Sequence, residues 1–178
     1  MESRAIKISG ATGWETFGSK DSPLYGLLSH CNEAKIILAN PNSPDIEERA
    51  SDVGQTGQQY REEILDSIRL LKVLNNNFQK DIQLKCYNRY PTWKYIILHN
   101  HAWVQQYNKR NHVRESTSYA FAGAKKADKD DMIFNHIGNQ FLKRWNSNLL
   151  GVYNFRTDEL DYFDEEGNLL RSERVVVN

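Results

Sequence analysis

Between Gln58 and Phe78, the residues Tyr60, Ile64, Ile68, Leu71, Leu74 and Phe78 recur every three or four positions. That spacing collects them on one side of an α-helix and leaves its charged residues on the other. A helix with a one-sided apolar stripe must be covered by a second layer. The chain supplies material for that layer on both sides. Ala34 to Ala39 (AKIILA) is compact and apolar and closes on Asn40-Pro41-Asn42-Ser43-Pro44, which predicts a buried strand feeding a turn. Ile82 to Tyr87 (IQLKCY) alternates and predicts a second strand. Ala5 to Ser9 (AIKIS) alternates ahead of Gly10 and Gly13, which predicts an opening strand that ends in a glycine-rich turn.

The remaining segments extend this pattern. Ser22 is predicted to cap a helix with Pro23 in its first position, followed by Leu24, Leu27, Leu28 and Cys31 at helical spacing. Asp45 to Ala50 reads as one helical turn. Trp93 to Leu98, Ala102 to Tyr107 and Ser116 to Phe121 are β-rich. Asp130 or Asp131 is predicted to cap a helix running to about Asn146, with Ile133, Ile137, Phe141 and Trp145 as its stripe. Gly151 to Phe155 and Glu159 to Phe163 predict a hairpin, and Glu166-Gly167-Asn168 a further turn. The order predicts a single α/β domain over residues 1–178. Its mixed β-sheet is flanked by helices, with an acidic hairpin or tail at about 151–178.

Charge and composition narrow the function classes. The 178 residues carry 23 Lys and Arg against 23 Asp and Glu. A net charge of zero argues against a protein-wide grip on nucleic acid or an acidic membrane, and leaves a local patch possible. Two distant cysteines, Cys31 and Cys86, offer no disulfide framework and no cysteine zinc site. No run of roughly 18 apolar residues and no signal sequence is present, so a soluble cytoplasmic protein is expected. No cofactor and no metal is expected either.

Several segments hold chemistry-bearing residues. Ser9 to Gly18 (SGATGWETFG) lacks G-x-G-x-x-G spacing, so it is expected to be a tight turn with an exposed aromatic or two. His99-Asn100-His101 could put two imidazoles on one face of a strand, but no third ligand is near in sequence. His136 is expected to be half-buried. Lys109, Arg110, His112 and Arg114, with Lys125, Lys126 and Lys129, form a basic cluster suited to a phosphate. Asp158, Glu159, Asp161, Asp164, Glu165 and Glu166 make the last hairpin acidic, a solubilising or partner surface.

The stretch Tyr87 to Tyr107 (YNRYPTWKYIILHNHAWVQQY), with the strand before it and the helix after it, resembles the phospholipase D-like superfamily. That superfamily's motif is His-x-Lys-x-x-x-x-Asp, followed by Gly-Ser-x-Asn. Here Lys94 matches the lysine, Thr92 stands for the nucleophilic histidine, and His99 stands for the acid. Gln106-Tyr107 falls where glycine and serine would be. The resemblance covers residues 4 to 165 and implies a phospholipase D-like half-fold, often one half of a homodimer. It implies Lys94 as an anion contact, Thr92 as its hydrogen-bonding neighbour and His99 at the acid's place. Arg114 and Ser116 would contribute from the following strand. Thr92 cannot serve as the imidazole nucleophile. His99 lies in the opposite strand phase from Lys94.

Three functions follow as expectations. The first is a catalytically impaired, regulatory module that binds a phosphate-containing small molecule or a protein partner, with a homodimer as its candidate assembly. The second is a metal-independent phosphodiesterase or nuclease using His99, His101 or His112 with Lys94 and Arg114, which needs a histidine beside Lys94. The third is an interaction protein without a ligand site.

Overall fold

A computed structural model describes residues 5–78, 80–109, 112, 115–123 and 132–175. Nine strands are joined in one sheet: β1 (Ala5–Ser9), β2 (Glu33–Ala39), β3 (Asp81–Tyr87), β4 (Trp93–Leu98), β5 (His101–Gln106), β6 (Ser118–Ala122), β7 (Gly151–Asn154), β8 (Glu159–Phe163) and β9 (Leu169–Arg174). Their order is β6-β5-β4-β1-β2-β3-β7-β8-β9. β1, β2 and β3 are mutually parallel, and the other neighbours are antiparallel. The fold is therefore a mixed α/β architecture.

A parallel neighbour can be reached only by a crossover. The β1–β2 crossover holds a five-residue π-helical turn (Trp14–Gly18) and α1 (Tyr25–His30). The β2–β3 crossover holds α2 (Asp45–Asp52) and α3 (Gly57–Phe78). The π-helical turn and α2 both pack on α3, and α3 packs on β3. The expected stripe is what α3 buries: Tyr60, Ile64, Ile68, Leu71 and Leu74 are all buried. Asn75 Nδ2 donates to the carbonyls of Lys80 and Ile82 and so ties the end of α3 to the start of β3.

The fourth helix, α4 (Met132–Trp145), packs on β5 and β6. Alternation along β3 divides the two faces of the sheet. Lys85 Nζ donates to the Trp145 carbonyl at 2.8 Å, and Arg144 lies over the Tyr87 ring, so odd positions face α4. Ile82, Leu84 and Cys86 point the other way and are buried.

The structure corrects three expectations and extends a fourth. α1 begins after Leu24, with no side-chain cap; Ser22 Oγ instead donates to the Trp14 carbonyl at 2.7 Å. On α4, Ile137, Phe141 and Trp145 are buried but Ile133 and His136 are exposed, because Phe134 takes the inward side of the first turn and packs against the core. Phe17 in the π-helical turn is buried, while Gly13, at φ 78°, lies where a Cβ would meet the Phe17 ring at 2.7 Å. The acidic hairpin is a three-stranded meander that extends the main sheet beyond β3. Asp158 in it bridges to Lys72 of α3 at 2.7 Å. Gly151 lets β7 approach closely, since a Cβ there would touch the Tyr162 ring at 2.9 Å. The basic residues Arg110, Arg114, Lys125, Lys126 and Lys129 and the predicted cap at Asp130 or Asp131 lie outside the described residues.

Candidate functional site

β1 has a parallel neighbour on one side and the antiparallel β4 on the other. Such a change of sense opens a crevice beyond the strand's carboxyl end. The chain leaving β1 continues beside β2: Gly10 N donates to the Ile37 carbonyl, and Ala39 N donates to the Ala11 carbonyl, both at 2.9 Å. Ala11 N then donates to the Tyr107 hydroxyl at 2.9 Å, and the Tyr87 hydroxyl donates to the Gly10 carbonyl at 3.0 Å. Burial keeps Tyr107 a phenol and pushes its pKa up to about 12, against the Ala11 N–H and the Arg49 charge, which both favour the phenolate.

The result is a narrow slot of about 30 Å³, room for two or three waters by volume. Lys94 reaches it from β4. Ser9 pairs with Tyr95, so Lys94 stands opposite the residue that follows β1. Tyr95 feels the charge of Arg144 on the α4 side, and alternation turns Lys94 to the face of the π-helical turn. Its side chain is half-buried, and among the described residues it forms no salt bridge. Burial lowers its pKa, and the Glu15 carboxylate partly offsets that effect.

Three other polar side chains frame the slot. Arg49 of α2 is 2% exposed, with Nη1 donating to the Tyr90 hydroxyl at 3.0 Å and to the Asn108 carbonyl at 2.9 Å. Its guanidinium lies 5.1 Å from the Tyr107 ring centre and 3.8 Å from Asp52, and the Tyr90 hydroxyl donates to the same Asp52 carboxylate. His112 Nδ1 lies 3.5 Å from Glu15 Oε2, at the slot's mouth. Glu63 also lines the slot, and its carboxylate accepts from Gln55.

The other residues singled out from the sequence are dispersed. Thr92 precedes β4 and is exposed; its carbonyl accepts from Tyr107 N at 3.0 Å, but its side chain does not line the slot. Ser116 lies ahead of β6 at the same end of the sheet, where its hydroxyl accepts from Asn108 Nδ2 at 3.5 Å. Arg114 falls outside the described residues. His99 lies at the opposite end. It and Asn100 form the two-residue turn between β4 and β5, about 16 Å along the strand from Lys94 at about 3.3 Å per residue. His99 therefore does not stand in for an acid beside Lys94. His101 opens β5 at that far end and stacks on Trp103.

Sequence reasoning passed over Arg49, Glu15 and Tyr107. For Arg49 a signal existed: it shares a helix face with Ile46 and Ala50, an unusual phase for a cation. Glu15 and Tyr107 carried none, because only the tertiary fold brings them to Lys94.

No protein-family profile, no curated protein and no solved structure matches this chain. No described helix is long and apolar enough to cross a membrane.

Proposed function

We propose that the chain is a catalytically impaired phospholipase D-like module that holds a phosphate-containing ligand at the Lys94 slot in a regulatory role. The observation that carries this reading is the Lys94 amine: half-buried, not ion-paired among the described residues, and set at the carboxyl end of β1. A desolvated ammonium gains more from a charge-assisted hydrogen bond to phosphate than an exposed one does. Arg49 supports it by holding Tyr107 and the α2 side of the slot in place. Titration calorimetry with inorganic phosphate and methyl phosphate tests it. Lys94→Ala is expected to lose at least ten-fold in affinity, and equal affinity in wild type and variant would overturn it. Sedimentation of the full chain with and without phosphate tests the homodimer that the resemblance implies.

A second reading is favoured by one contact, the His112–Glu15 pair in the same slot. In that reading the His112 imidazole attacks the phosphorus of a diester, a P–N bond forms as one P–O ester bond breaks, the alkoxide takes a proton from water and leaves as the alcohol, and a further water cleaves the P–N bond to release the monoester. Lys94 would stabilise the charged oxygens, and Glu15 would orient the ring. Hydrolysis of bis-p-nitrophenyl phosphate in EDTA separates the two readings. Turnover abolished by His112→Ala and by Lys94→Ala, but kept by His99→Ala, selects the phosphodiesterase. A rate equal to the variants' background selects the binder. An absence of both turnover and phosphate binding would leave an interaction protein or a partner-binding surface.

A further inference from the structure

A second cleft, of about 480 Å³, opens between the loop after α4 and the β8–β9 hairpin. Its volume lies within the range of metabolite sites. No residue that lines it also lines the Lys94 slot, so nothing in the following argument rests on that slot. Three guanidiniums from separate elements line it: Arg89 from the loop after β3, Arg144 from the last turn of α4, and Arg171 from β9. Two of them are held on aromatic faces. Arg144 lies 4.6 Å from the Tyr87 ring centre and Arg171 4.1 Å from that of Tyr162. Stacking fixes a guanidinium plane while leaving its N–H edges available. The Tyr162 platform is itself fixed, because its hydroxyl accepts from Asn88 Nδ2 at 3.1 Å.

Among the described residues, none of the three side chains forms a salt bridge or a hydrogen bond. Arg49 and Arg69, by contrast, pair with Asp52 and Asp66. The Glu173 carboxylate, on the same strand as Arg171, accepts from Asn40 and the Tyr162 hydroxyl instead. Three convergent, unneutralised cations in a chain with no net charge call for an anion from outside. Beside them the wall is apolar: Leu149 is 60% and Leu170 67% exposed. An adjoining hollow ends on Asp164 and Glu165, which confines the basic character to one end of the groove. That pattern suits a single phosphate group on an apolar body and disfavours an extended polyanion such as a nucleic acid backbone.

We propose that this cleft binds a metabolite-sized organic phosphate, its phosphate on the edges of Arg89, Arg144 and Arg171 and its body against Leu149 and Leu170. Titration calorimetry on the full chain, in wild type and in Lys94→Ala, tests this with adenosine monophosphate and n-octyl phosphate as probes. Inorganic phosphate, adenosine and octanol serve as partial ligands. Using the Lys94→Ala background keeps a failure of the slot distinct from a failure of the cleft. In that background at least one organic phosphate is expected to bind ten-fold or more tighter than inorganic phosphate and than its own uncharged counterpart. Binding of adenosine monophosphate alone assigns a nucleotide, and binding of octyl phosphate alone assigns an aliphatic phosphate. The double variant Arg89→Gln/Arg171→Gln replaces two exposed side chains, and Leu170→Asp places a negative charge in the cleft without touching the core; each is expected to lose ten-fold or more. Thermal melts confirm that both fold. The proposal is overturned if neither organic phosphate binds in the Lys94→Ala chain, if inorganic phosphate binds as tightly, or if both cleft variants bind like their parent.

Discussion

Lys94 and Arg49 are both cations withdrawn from water, and the structure treats them differently. Arg49 has acceptors on several sides, so its charge is compensated. Its removal would leave the Tyr90 hydroxyl and the Asn108 carbonyl without their donor. Arg49→Met is expected to cost about 3 kcal/mol, the lower end for breaking a buried charged pair, and urea unfolding measures it. Lys94 has no such partner, and burial lowers its pKa from an ordinary 10.5. Between the lowered value and 10.5 the unfolded chain holds the proton that the folded chain has released. Stability contributed by this residue therefore rises with pH through that window. At pH 7 both states carry the charge and the folded one bears the cost of desolvation. Lys94→Met is expected to melt higher than wild type at pH 7, with the gain shrinking as pH climbs through the window; a lower-melting variant at pH 7 would contradict it. Phosphate affinity at the slot should fall over the same rise in pH, as the ammonium loses its proton.

At the scale of elements, the contact that decides how the C-terminal meander sits is the Lys72–Asp158 bridge. Asp158 occupies the turn between β7 and β8 at φ 57°, accepts from Lys72 at 2.7 Å and accepts from the Tyr153 hydroxyl at 3.0 Å. A left-handed backbone suits Asp or Gly far better than Ala. Asp158→Ala is expected to lose about 2 kcal/mol, combining a partly exposed bridge of about 1 kcal/mol or less with the strain of Ala at positive φ. Asp158→Gly should lose less, because only the contacts go. Equal losses in denaturant melts would show that the backbone strain contributes nothing. The ends of elements were the least legible part of the sequence. α1 starts later than its Ser-Pro pair suggests, because the Ser22 hydroxyl is drawn to the Trp14 carbonyl of the π-helical turn. β9 has no apolar alternation to reveal it, since it is an exposed edge strand whose pairing with β8 supplies its order.

At the scale of the molecule, one continuous sheet runs from β6 to β9 and one buried cluster joins residues from Ile6 to Val175. A single cooperative transition is therefore expected in guanidinium, with tryptophan fluorescence and far-ultraviolet circular dichroism coinciding. Separate transitions would mean that the β7–β9 meander, joined to β3 through only two residue pairs, opens on its own. Local periodicity determined much of this architecture before any contact was known. The α3 stripe, the apolar run of β2, and the alternation of β1 and β3 each record how one element meets the core. A side chain's burial repeats with the period of its own backbone. The same alternation sent Lys94 to one face of β4. What periodicity cannot carry is distance between elements. Thr92 and His99 were aligned with Lys94 by sequence spacing. The strand instead ends at Leu98 and turns through His99 and Asn100, so the histidine goes to the far end of the sheet. Glu15, Arg49, and Tyr107 with His112 come from three separate segments and meet Lys94 only because two parallel crossovers and one antiparallel neighbour bring their ends to the same edge. The three arginines of the second cleft converge for the same reason, since their separation along the chain is bridged by the sheet and not by any local spacing.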